Sequence, residues 1–101
     1  MASGFHSFVF KKDVQTIRRY SNDAADILEQ IYQQYGAHAG YCAASAIKKI
    51  MASVDSMAGV GASNWQAELR ECPQAAHDAR RAVDVFLYDY GAVDNARWSR
   101  D

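Results

Sequence analysis

Apolar residues recur at three- and four-residue intervals along most of this chain, and glycine or proline interrupts the recurrence at a few definite places. That period places side chains on one stripe of an α-helix, so the interruptions divide the chain into helices. Ile17, Ala24, Leu28, Ile31 and Tyr35 form the first stripe, widened by Val14, Ile27 and Tyr32. With Asp13 as N-cap and Gly36 as a left-handed stop, the pattern predicts one helix over 13–35. Tyr41, Ala44, Ile47, Met51, Val54 and Ala58 mark a second helix over 37–58, joined to the first as an antiparallel hairpin because only Gly36 separates them.

Gly59-Val60-Gly61-Ala62 ends that pattern, and Ser63-Asn64-Trp65-Gln66 restarts it as a capping box. Pro73 limits the third helix to about two turns and suits the first turn of a fourth. Ala76, Ala79, Val83, Phe86 and Tyr90 form the fourth helix's stripe, with Gly91 expected to end it. Before all of these, Phe5 to Phe10 is a short apolar run that reads as an extended arm. It either tucks against the helices or exchanges with a second subunit. The expected fold is therefore all-α: a compact bundle of three long helices and one short one, with an extended N-terminal arm. Residues 1–12 form the arm, and 13–101 form a single helical-bundle domain.

Composition shapes the core of such a bundle. Eighteen alanines stand against fifteen Ile, Leu and Val combined, and four Phe, six Tyr and two Trp supply the bulk. Alanine lets helices approach closely but buries little area, so the aromatics carry the apolar weight. Asp23-Ala24 to Tyr35-Gly36-Ala37 is echoed by Asp78-Ala79 to Tyr90-Gly91-Ala92 at a constant offset; a duplicated hairpin or shared helix-ending chemistry would each explain it, and the unmatched intervening loops favour the second.

The balance of 11 basic and 12 acidic side chains, with Arg18-Arg19, Lys48-Lys49 and Arg80-Arg81 as isolated doublets, argues against a nucleic-acid or membrane-surface partner. No signal-peptide pattern opens the sequence and no apolar run reaches membrane-spanning length, so a cytoplasmic protein with reduced thiols is expected.

Three constellations bear on function. His38 and Cys42 stand four apart on one helix face, and Cys72 and His77 lie close together across Pro73. Together they would make a Cys₂His₂ set of the donors zinc prefers, although no CxxC knuckle is present. Arg70 and His77, flanking Pro73 ahead of a long helix, resemble the Arg-x(4–6)-His motif of HEPN-type ribonucleases. That resemblance covers about eight residues and implies a dimer in which the arginine and histidine meet. It departs from the family pattern at Glu71, where a negative charge follows the arginine. The third constellation is an aromatic surface of Tyr32, Tyr35, Trp65, Tyr88, Tyr90 and Trp98, with Phe5 and Phe8 in the arm. Tyr and Trp are favoured at interfaces, and a core short of aliphatics leaves ring area for a second chain to cover.

The leading expectation is thus a non-enzymatic protein-binding module, a homodimer acting as regulator, adaptor or inhibitor, of the size and charge of prokaryotic or phage-encoded immunity proteins. No cofactor is expected with it. The alternatives are a HEPN-like ribonuclease using Arg70 and His77, then a metal-binding bundle.

Overall fold

The computed structural model describes residues 3–55 and 65–93, with side chains over 9–52 and 65–90. Every described element is helical, and there is no strand among the described residues. In chain order these are α1 (Ser3–Arg18), α2 (Asn22–Tyr35), α3 (Ala37–Asp55), α4 (Trp65–Arg70), a 3-10 turn (Pro73–Ala75) and α5 (Ala76–Val93). Four helices are long, where three were expected.

The additional long helix replaces the extended arm. Phe10, Val14 and Ile17 are buried at steps of four and three, so the stripe of the following segment continues upstream through the arm. A lone strand would leave its backbone groups unpaired, whereas a helix pairs them internally. Asp13 accordingly lies inside α1 instead of capping it, and it pairs with Lys48 of α3 at 3.2 Å.

The expected helix over 13–35 is broken at residues 19–21. Ser21 has extended backbone angles (φ −155°, ψ 104°), and its Oγ accepts from Ala24 N–H at 3.0 Å. It is an N-cap, and it also donates to Asp89 Oδ2 of α5 at 2.5 Å while only 3% exposed. A hydroxyl in the middle of an apolar stripe is thus the start of a new helix, tied to α5.

Gly36 separates α2 from α3 as expected. Its φ is 106°, a region costly for any residue with a Cβ, and its N–H donates to Tyr32 C=O at 3.0 Å. Gly91 does not act in the same way, because α5 continues to Val93. The offset echo therefore ends in two different backbone roles. The predicted capping box at Ser63 and the tail with Trp98 lie outside the described residues.

The helix α2 packs against both α3 and α5, α1 lies across α2 and α3, and α4 rests on α3. Alanines at 24, 25, 39, 43, 44, 46, 75, 79 and 82 are buried, and Phe86, Ile17, Leu28, Ile31, Ile47, Ile50 and Val83 fill the space between them. Small side chains permit the close helix approach, and branched or aromatic ones restore density. No helix of the described residues is long and apolar enough to cross a membrane.

Candidate metal centre

The first turn of α3 presents His38, and the next presents Cys42 on the same side, as the four-residue spacing requires. The opposing donor comes from the end of α4. Proline disfavours helical geometry in the residue before it, and Cys72 takes φ −141° and ψ 66° ahead of Pro73. The backbone is held there by Cys72 N–H to Leu69 C=O and by Ala75 N–H to Cys72 C=O, at 3.2 and 3.1 Å. The outcome is a three-donor cluster: one ligand atom each from His38, Cys42 and Cys72, all within 4.8 Å of one another.

The distances suit a specific coordination chemistry. His38 Nε2 and Cys42 Sγ are 3.6 Å apart. In a tetrahedral zinc site with Zn–S near 2.3 Å and Zn–N near 2.1 Å, a nitrogen–sulfur edge is about 3.6 Å. The widest pair in the cluster, at most 4.8 Å, has to close by roughly 1 Å to reach such an edge. A rotamer adjustment of Cys72, outside any helix, supplies movement of that order.

Two neighbours compete for His38 Nε2. Its proton, when present, is donated to Glu71 C=O at 3.3 Å; its lone pair, when bare, faces the Cys42 thiol. Only the bare nitrogen can ligate, so ligation exchanges the Glu71 contact for a metal bond.

Cys42 is 4% exposed and Cys72 is 9% exposed, whereas His38 is open to solvent. Burial pushes the Cys42 thiol up to about 11, with further contributions from Cys72 and from the negative charges of Glu68 and Glu71. A thiol held neutral in this way is a poor nucleophile, but the same acidic field attracts a cation. Lys49 partly offsets it by pairing with Glu68 at 3.7 Å. Both cysteines are free thiols.

Of the four donors expected from sequence, the fold brings three together. His77 stays outside the cluster, exposed on α5 beyond the Pro73–Ala75 turn. Glu68 and Glu71, which shape the charge around the cluster, were not anticipated as part of it. The signal was their position beside Cys72, on the last turns before Pro73.

Arg70 and His77 are both exposed, on α4 and α5 respectively, and among the described residues no hydrogen bond or ion pair joins them. Of the aromatic set, Trp65 is buried, with the Arg80 guanidinium 5.5 Å from its ring centroid. Tyr90 is buried too, stacked on Phe86 at 5.2 Å and met edge-on by Tyr20 at 5.1 Å. Tyr32 stacks on Phe10 at 4.5 Å, and Tyr35 donates to Asp78 at 3.0 Å. Within the chain itself, then, Trp65 and Tyr90 are core residues and Tyr32 and Tyr35 are half-buried. Tyr88 keeps 78% of its surface in solvent. Phe5 and Phe8 lie in α1 by backbone, their side chains outside the described set.

No family model, no curated protein and no solved structure matches this chain.

Proposed function

We propose that this chain is a small helical protein that binds a thiophilic divalent ion, zinc first, through Cys42, Cys72 and His38. The observation that carries the reading is the convergence of two thiols and an imidazole from separate elements within 4.8 Å. Packing alone does not call for a second thiol and a histidine at the same point, and zinc favours these donors over harder ions. Three protein ligands leave a fourth position to water or to a donor from another molecule. The site is suited to holding, carrying or delivering an ion. The test is competition of the tag-free, reduced protein against a chromogenic zinc chelator. One ion per chain, with affinity lost in Cys42→Ser and Cys72→Ser and lowered in His38→Ala, is expected. Failure of the wild-type chain to compete in the micromolar range refutes the reading.

A second reading, the protein-binding module, is supported by Tyr88, a large ring left mostly in solvent on α5. It predicts a self-associating chain. A Tyr88→Ser variant with the wild-type mass distribution by light scattering removes that support.

A further inference from the structure

We infer that the metal centre is gated by oxidation: a hydroperoxide converts Cys42 and Cys72 to a disulfide, and the site thereby loses two of its three donors. This inference rests on the metal-binding reading above. Three observations carry it. The two sulfurs lie in one cluster within 4.8 Å, with no side chain needed to bridge them. Cys72 sits in the non-helical break before Pro73, so its side chain can approach Cys42 without unwinding a helix. Finally, these are the chain's two cysteines, so no third thiol competes and one intramolecular product results.

The chemistry balances with a hydroperoxide as oxidant. One sulfur, as its thiolate, attacks a peroxide oxygen; an S–O bond forms, the O–O bond breaks, and the departing oxygen leaves as water or alcohol with the proton that the thiol has released to solvent. The second sulfur then attacks the sulfenic sulfur; the S–S bond forms, the S–O bond breaks, and water leaves with the second proton. Two electrons pass from the sulfur pair to the peroxide. A disulfide sulfur carries no thiolate charge, so His38 alone remains as a ligand, and a single imidazole does not retain zinc against chelators. A dithiol reductant returns both electrons and restores the site.

The two helices involved give the gate a structural readout. The disulfide fixes the end of α4 to α3, as the ion does, so the fold survives while the ion is lost. Oxidation is therefore expected to release metal without unfolding.

The test uses the full chain loaded with zinc under reducing conditions, desalted, and treated with hydrogen peroxide. Released zinc is followed with a chromogenic chelator, and intact mass is measured without reductant. The expected result is loss of the ion in step with a monomeric product lighter by two hydrogens. Retained far-UV circular dichroism and recovery of zinc binding after dithiothreitol complete it. Cys72→Ser, or Cys42→Ser should that variant fold poorly, should yield no such species. Zinc loading followed by sulfinic acids or cross-linked dimers, with no monomeric disulfide, overturns the gate and leaves the metal-binding reading standing. Failure of the reduced wild-type chain to load zinc overturns both.

Discussion

Gly40 offers a sharp test of how α1, α2 and α3 pack. It sits in the second turn of α3, against the stacked rings of Phe10 and Tyr32 from α1 and α2. A Cβ added there would lie 2.9 Å from Tyr32 Cδ2, 3.0 Å from Tyr32 Cβ and 3.1 Å from Phe10 Cε1. Carbon atoms pack best at about 3.5–4.0 Å, so Gly40→Ala requires a displacement of roughly half an ångström or more. The Tyr32 Cβ moves only with its helix, so rotating the rings does not relieve the whole clash. Two effects oppose each other. Alanine in a helix interior gains about 1 kcal/mol over glycine, and overpacking a core costs about 1–3 kcal/mol. The expected balance is a loss of about 1 kcal/mol, or a Tm lower by about 4–8 °C in a domain of this size. Thermal and urea denaturation followed by far-UV circular dichroism measures it. Phe10→Leu should then cost less in the Gly40→Ala background than in the wild type, because the two side chains compete for the same space. Their coupling should fall in the range of about 0.5–3 kcal/mol. A Gly40→Ala protein more stable than wild type, with no coupling to Phe10, would refute the close three-helix contact.

Ser21→Ala removes the N-cap of α2 and the buried bond to Asp89, and should destabilise by about 2–4 kcal/mol in urea titration; a change under half that amount rejects the capping role. In EDTA, stability should fall as pH rises from the ordinary thiol value of 9.0 toward about 11, because the unfolded chain releases the Cys42 proton first. The fall is at most about 3 kcal/mol, since each tenfold change in proton affinity is worth about 1.36 kcal/mol, and Cys42→Ala should reduce it. Tyr35, raised above its ordinary 10.0 by its bond to Asp78, acts in the same direction once pH passes 10.0. Zinc at about a hundredfold excess over Kd should stabilise the reduced protein by about 2.7 kcal/mol, and scanning calorimetry of Cys72→Ser should show none of it.

The sequence made the all-helical class readable because the apolar period is regular and Gly36 and Pro73 stand at real boundaries. Two errors have one cause. A run of three Phe and a Val resembles a strand when read in isolation, and a serine in an apolar stripe resembles a tolerated flaw. Each takes its role from a distant partner: Phe10 from Tyr32, and Ser21 from Asp89. Neither partner is visible in a local window. Gly91 shows the reverse case, a residue with the right chemistry for a stop that neighbouring helical hydrogen bonding overrides. In the site, His38 with Cys42 was legible as a same-face pair, since helix geometry alone decides it. Whether Cys72 or His77 joined them was not, because the turn at Pro73 sets the direction of both.

That turn also explains why the donor cluster falls where it does. The helix α4 is six residues long, too short to be stable alone; it packs on α3 and buries Trp65 and Leu69. Cys72 follows two residues after its end, outside the helix, at the end of the segment away from Trp65. A bond between Cys72 and the donors of α3, through an ion or through sulfur, closes the long loop from Cys42 to Cys72 and removes unfolded-state freedom that the short helix cannot offset by itself. Cys42 and His38, in contrast, belong to α3, the longest helix among the described residues, which packs on both α1 and α2. The cluster thus joins the shortest described α-helix, and the turn that follows it, to α3, so on the metal-binding reading an ion held there is expected to stabilise α4 more than α2 or α5.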